Sequence, residues 1–369
     1  MQKLGDYIRE VDVRNKDLKV TNLVGLTIEK AFIPSVANII GTDLSNYKII
    51  RKEQFACSLM QVSRDGKMPI AMFEKDKAIM SPAYPMFEVM DKSKLLPQYL
   101  MMWFYRSEFD REASYYAVGG VRGSLTWEDF LNMQLPIPSI EQQREIVSEY
   151  ETISKRIKLN EQIIKNLEVT AQTLYHKMFV EGIDKEKVSL KDICKIQSGF
   201  AFKSEWWQKK GVPVIKINNI HNNTIFRDEC DCVSEDKAII AYKSLVNKGD
   251  IVMALTGNVG KISIIPDNGY LVNQRVGIFK VDDVYREFLY LVLNSAEMQN
   301  AIQNIGGGSV QINISPIDIG SIKIIMPSAC DIRRFHKQVL PVFHTISLKQ
   351  IENIKLKEIQ PLLLAKMGR

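Results

Sequence analysis

PSIEQQREIVSEYETISKRIKLNEQIIKNLEVTAQTLYHKM (138–178) and PSACDIRRFHKQVLPVFHTISLKQIENIKLKEIQPLLLAKM (327–367) are one segment written twice, 189 residues apart. Carried back without a gap, the match begins at Gly119 and Gly308. It holds at Val121/Val310, Asp129/Asp318, Pro138/Pro327, Ser139/Ser328, Arg144/Arg333, Ile157/Ile346, Leu159/Leu348, Leu167/Leu356, Leu174/Leu363, Lys177/Lys366 and Met178/Met367. Solenoid repeats run about 20–50 residues, so this longer period predicts a duplicated domain plus helix. Two such units present two similar surfaces related by a pseudo-two-fold, and a duplicated reader needs a duplicated or bipartite target.

The first copy spaces Ile146, Tyr150, Ile153, Ile157, Asn160, Ile164, Leu167, Ala171, Leu174 and Met178 alternately four and three apart. That is an a/d seam, the mark of a coiled coil, on a helix roughly 50 Å long at 1.5 Å per residue. The second copy keeps Phe335, Val339, Val342, Ile346, Leu356, Leu363 and Met367 but puts Lys349, Asn353 and Gln360 on the seam. Pro341 and Pro361 are expected to kink or break it, because proline lacks the amide and crowds the preceding turn. Asn160 and Lys349 occupy matched seam positions, as a register device or as chance polar residues. The link from Val180 to Val188 can turn the chain back, which favours antiparallel pairing and a rod with a globular unit at each end. A parallel pair would bring both units to one end.

Each unit opens alike, with LGDYI (4–8) or LKDIC (190–194). Short β-like runs follow: LVGLTI (23–28), IAMF (70–73) and PMFEV (85–89), then VPVIKINNI (212–220), GDIVMAL (249–255), KISIIP (261–266) and VGIFKV (276–281). A helix is expected over 96–109 and over 285–302, then a glycine turn, GGVRGS (119–124) or GGGSVQ (306–311). Thr126 and Ser315 each precede an acid by three residues, a capping-box pattern, and Pro316 stands at the favoured first helical position. A short strand then leads into QLPIPS (134–139) or IIMPS (324–328). The fold class is α+β: similar globular α/β domains over 1–138 and 181–327, with long spacer helices over 139–180 and 328–369 pairing as an antiparallel coiled coil.

A net charge of +6 and a pI near 8.8 permit a polyanionic partner without requiring one. No apolar run reaches the roughly 18 residues of a membrane span, and MQKLGDYIRE has no signal core, so the expected location is cytoplasmic. Five scattered cysteines are read as reduced thiols. Cys230 and Cys232 near His221 lack the second ligand pair of a zinc site. GNVGKI (257–262) has the wrong spacing for a phosphate-binding P-loop, and neither H-E-x-x-H nor G-x-S-x-G occurs. His176, His221, His336 and His344 stand far apart, and Glu74-Lys-Asp-Lys77 reads as a charged turn rather than a nuclease motif. No catalytic residue, metal or resident cofactor is expected.

The loops carry a different chemistry. Ser198, Phe200, Phe202 and Lys203 lie in SGFAFKS; Lys216, Asn218 and Asn219 end a strand; Thr256, Asn258 and Lys261 belong to TGNVGK; Asn273, Gln274 and Arg275 enter another strand; Ser309 and Gln311 lie in the glycine turn. The first-unit counterparts are Arg64, Lys67, Ser81, Tyr84, Arg122 and Ser124. Asn and Gln pair bidentately with adenine and Arg with guanine, while glycine-turn amides and Lys hold phosphates. The plain alternative is that Gly/Asn turns are only turns and that Phe200 or Phe202 is core.

QSGFAFKS (197–204), GDIVMALTGNVGK (249–261), NQRVGIF (273–279), SPAYPMFEV (81–89) and LPIPSIEQQREIV (135–147), together with their duplication, resemble the specificity subunit of type I restriction–modification enzymes over nearly the whole chain. The resemblance implies two target-recognition domains, each reading half of a split DNA site, and two helices that hold methyltransferase subunits, which in turn dock restriction subunits. It implies partner contacts near Glu141, Gln142, Arg144 and Arg333. S-adenosylmethionine, ATP and Mg would belong to the partners. The Glu-Gln pair of 138–145 is lost in 327–334, and SRDGK (63–67) stands where the first unit lacks a TGNVGK turn, which implies that the halves read different sequences. Two rivals are a specificity subunit for a stand-alone methyltransferase and a coiled-coil scaffold whose ends bind protein.

Overall fold

A computed structural model describes residues 1–35, 41–60, 62–118, 124–181, 186–221, 225–305 and 313–367. By contacts the chain divides into one unit of Met1–Lys158 with Ile354–Arg369, and another of Leu159–Asn353.

In the first unit the central sheet is ordered Ile8–Glu10, Met86–Val89, Phe55–Cys57, Ile70–Met72, antiparallel throughout. Apart from the edge strand Ile8–Glu10, these short strands are mostly buried, so they read as apolar runs without clean alternation. Phe55 stacks on Phe87 with centroids 5.0 Å apart; from flanking helices Phe104 meets both rings and Phe130 meets Phe87 and Phe104. Beside it, Phe32–Pro34 pairs with Val24–Leu26 and Lys48–Arg51 with Lys77–Met80, the two strand pairs linked by a parallel bridge, Leu23 to Ile79.

The second unit repeats this plan. Its central sheet is ordered Lys195–Ser198, Val276–Lys280, Ile251–Ala254, Ile262–Ile264, again antiparallel. Its side sheet runs Asp231–Val233, Val212–Ile215, Tyr270–Val272, Leu245–Val246, with the middle pair parallel. In each unit a small clasp joins start to end: Gln2–Lys3 with Gln134–Leu135, and Lys187–Ser189 with Lys323–Ile325. The duplication therefore covers both sheets, well beyond the stretch where the residues match.

Two expected helices are each broken in two. Pro97–Phe104 is followed by Ser107–Val118, and Arg286–Leu293 by Ala296–Ile305. In the second case Ser295 Oγ accepts the Met298 amide at 3.2 Å and restarts the helix. Thr126 and Ser315 cap the next helices as expected, accepting the amides of Asp129 and Asp318. Strands at 8–10, 32–34, 48–51, 77–80, 231–233, 245–246 and 270–272 are additions to the expected set.

The first long helix spans Ile140–Tyr175 and ends in a π turn, His176–Val180. The second spans Ala329–Lys366 without a break. The expected break at Pro341 or Pro361 is not there: both rings lie on the exposed face, where water reaches the carbonyl each proline leaves free. In the first unit Val147 shares a core with Leu364 and Met367, and Gln360 Nε2 donates to Ser154 Oγ at 2.9 Å. In the second, Ala171 and Tyr175 share a core with Phe335 and Val339, and Asn160 Nδ2 donates to Asn353 Oδ1 at 2.9 Å. Within each unit, then, the helix segments run antiparallel. The polar partner of Asn160 is Asn353, while Lys349 pairs with Glu352 on its own helix. Phe179, off the heptad register, is brought by the π turn against Phe288 and Phe335 at 5.2 and 5.0 Å.

Candidate nucleic-acid interface

The second unit gathers Ser198, Gln274, Arg275, Asn313, Ser315 and Asp318 around one small cleft. Backbone bonds fix its floor: Gly199 N donates to Val276 O, Phe200 N to Val272 O and Gln274 N to Phe200 O, at 3.0, 2.8 and 2.9 Å. Only glycine fits at 199, because a Cβ would lie 2.2 Å from Val272 O. Asn273 turns inward, its Oδ1 accepting the Arg275 amide at 3.3 Å, whereas Gln274 and Arg275 stand exposed.

The TGNVGK turn borders a second cleft of about 640 Å³, shared with Glu168, Asn294, Gln299 and Gln303. Gly257 and Gly260 take φ of +72° and +86°, the left-handed region that only glycine enters at little cost. Thr256 is buried and bridges to Asn313, so it holds the turn rather than facing solvent. Asn258 is exposed and Lys261 half-buried.

Phe200 and Phe202 are half-buried in a cluster with Trp206 and Trp207, the ring of Phe200 stacked 6.0 Å from Trp206. The two tryptophans were absent from the sequence-based candidates, although WW at 206–207 next to Lys209 and Lys210 was the available signal. Lys203 lies 5.9 Å over Trp206, and Lys216 lies 3.6 Å over Trp207 while pairing with Asp231 at 2.6 Å. Asn219 is buried, its carboxamide spanning Lys216 N and Glu229 O at 2.8 and 2.9 Å. Lys216, Asn219 and Thr256 are thus occupied inside the fold; Asn218 is exposed.

In the first unit Arg64, on the short helix Val62–Asp65, and Lys67, after it, sit in the connection between Phe55–Cys57 and Ile70–Met72, the topological counterpart of TGNVGK. Arg64 is exposed and chelates Asp65, whose carboxylate is held below its usual range by that hydrogen bond. Ser81 Oγ accepts the Ala83 amide at 3.4 Å, Tyr84 packs on a core cluster, and Ser124 is half-buried. Arg122, Ser309 and Gln311 lie outside the described residues. Among the described residues Lys67, Lys203, Lys261 and Arg275 carry no ion pair, so their charge is available to an anion.

On the helices Glu141, Arg144 and Arg333 are exposed. Gln142 closes a cap with Ser139, as Asp331 does with Ser328. Gln143, fully buried, accepts the Leu96 amide and donates to Lys94 O and Pro138 O at 2.9, 2.8 and 3.0 Å. Its match in the second copy is Ile332, equally buried. The altered motif therefore changes a cap and a plug. Cys230 is buried, which pushes its thiol up to about 12, and His221 lies 2.8 Å from Glu229. Among the described residues no cluster of His, Cys, Asp and Glu is arranged to hold a metal, and no helix is long and apolar enough to cross a membrane.

The model of the type I restriction modification DNA specificity domain matches residues 36–169 and 182–360. A type I restriction enzyme specificity subunit of Methanocaldococcus jannaschii, MjaVIII, is 30% identical over 269 residues, 64% of this chain and 63% of that protein. The HindI specificity subunit of Haemophilus influenzae is 30% identical over 157 residues, 42% of this chain and 34% of that protein. The chain thus spans less than two thirds of either relative. A crystal structure of a type I restriction–modification S subunit from M. genitalium covers the whole chain and 95% of its own, with a TM-score of 0.60 at 12% identity, a likeness of fold.

Proposed function

Because the chain belongs to the type I restriction modification DNA specificity domain family, we propose that it is the DNA-reading subunit of a restriction–modification complex. It reads a bipartite target, one half per unit, for methyltransferase and restriction subunits. The observation that carries this reading is the repeated pair of sheets, which offers the same loop position twice with different residues: SRDGK in one unit and TGNVGK in the other. Exposed Gln274 and Arg275 suit base edges, and Lys67, Lys203 and Lys261 suit phosphates.

In this reading the chain does no chemistry of its own and works in the cytoplasm. The partner flips and methylates the target base, and S-adenosylmethionine, ATP and Mg are held by the partners. Exposed Glu141, Arg144 and Arg333 are the proposed helix contacts for the methyltransferase subunits. The helix pair, as a coiled coil, sets the gap between half-sites.

The test is selection from a random duplex library by the full chain together with its methyltransferase subunits, at several salt concentrations. The expected product is a split motif whose affinity falls steeply with salt. Retention without sequence preference would favour the scaffold reading, and an unsplit motif would remove the two-reader account.

A further inference from the structure

We propose that Asp110 and Gln299 are equivalent positioning residues, each clasping the reading loop of its own unit and so tuning one half of the target. The inference rests on the DNA-reading proposal. The two residues stand 189 apart, the offset of the repeat, on the equivalent helices Ser107–Val118 and Ala296–Ile305. Their neighbours under the same offset, Phe109 with Met298 and Ala113 with Ile302, are all buried, so the two helices present the same face.

Each residue reaches the loop that joins the same two strands. Gln299 Nε2 donates to Gly260 O at 3.0 Å and to Leu293 O at 2.7 Å, tying TGNVGK to the helix. The turn is so close that a Cβ on Gly260 would lie 2.5 Å from Gln299 Oε1. With that anchor, Gly260 N bonds Ala254 O and Lys261 N bonds Asn258 O, leaving Asn258 exposed and Lys261 without an ion pair among the described residues. Asp110 Oδ1 accepts the Met68 amide at 3.1 Å, next to exposed Lys67, and the Lys30 ammonium at 2.8 Å.

The loops themselves share neither length nor sequence. What they share is a polar side chain from one helix position, in one unit accepting from a loop amide and in the other donating to a loop carbonyl. A side chain serving only to fill space would not track the polarity of the loop it meets. The arrangement fits a frame that keeps its clasp while the loop it holds is free to differ.

The experiment uses the full chain with its methyltransferase subunits and scores each half of the selected motif separately. Q299A is expected to lose discrimination in one half by about tenfold, with the other half unchanged; the Gly260 and Leu293 carbonyls left unpaired also lower the thermal midpoint, a loss that by itself favours neither half. Q299E keeps the length but sets an acceptor against Gly260 O, so it should lose at least as much in that half. D110A, which removes the acceptor for the Met68 amide along with the partner of Lys30, should act on the opposite half, and native discrimination there in a folded D110A would equally overturn the clasp. Equal loss in both halves, or native discrimination in Q299A and Q299E, would overturn the clasp. A second route avoids reliance on one variant: G260A should harm less in the Q299A background than in the native chain, since the blocking Oε1 is gone, and additive effects would count against the contact. Failure of the DNA-reading proposal is separable, because the native complex would then show no sequence preference before any substitution.

Discussion

Asn160 and Asn353 meet inside the helix pair of the second unit, and their two replacements should not cost the same. Asn160 is fully buried; its Nδ2 donates to Asn353 Oδ1 at 2.9 Å, and its own Oδ1 has no partner among the described residues. Asn353→Leu strands both ends of the Asn160 carboxamide, and a buried unsatisfied polar group costs about 1–3 kcal/mol. Asn160→Leu removes that already unsatisfied oxygen, and Asn353 keeps a further interaction, so the cost should fall near the lower end, about 1 kcal/mol. The double Leu variant removes the polar groups together and fills the seam, which is close to neutral or stabilising. The expected coupling is therefore about 2–4 kcal/mol in size. Urea unfolding of the full chain and three variants, followed by circular dichroism, reads it. With a slope near 3 kcal/mol per molar, a loss of 2 kcal/mol moves the midpoint by roughly 0.7 M. Additive single effects, or Asn160→Leu costing more than Asn353→Leu, would refute the buried-pair reasoning.

Other expectations follow from the same structure. Arg275→Ala should cost about 1–3 kcal/mol of binding and relax one half-site, whereas Lys261→Ala should weaken all DNA alike and lower the salt slope by about one; titrations on matched and mismatched duplexes across salt separate them. Gln143→Leu should destabilise the first unit by about 2–3 kcal/mol, since it leaves the Leu96 amide and two carbonyls unpaired; denaturant midpoints check it. The Lys92 ammonium bonded to Glu53, helped by Gln98, holds that carboxyl below its usual 4.5. Its contribution is therefore present above pH 4.5 and lost as pH falls through the lowered value; Glu53→Gln should flatten that acid limb of stability against pH, by under about 1 kcal/mol for so exposed a pair.

The long helices and their caps were legible because their signals are local: heptad spacing, Ser or Thr three residues before an acid, proline at the first turn. The side sheets were not. Strands such as Tyr270–Val272 and Asp231–Val233 are three residues long and gain their partners from far along the chain, so no periodicity accumulates. Pro341 misled because the rule for proline in helices does not say which face it occupies. At the candidate site, exposure separated residues of the same type. Gln274 and Arg275 face out, whereas Asn219, Thr256 and Lys216 bond within the fold. Gln143 and Gln299 could not be singled out, since what marks them is the backbone atoms they reach.

If this chain reads a split DNA target for its partners, it decides where the host genome is methylated. Mapping modified bases in the host with and without the gene tests that most directly. The predicted result is loss of methylation at one split motif, with every other motif unchanged. Methylation identical in the two strains, in cells that express the chain and its methyltransferase subunits, would contradict it.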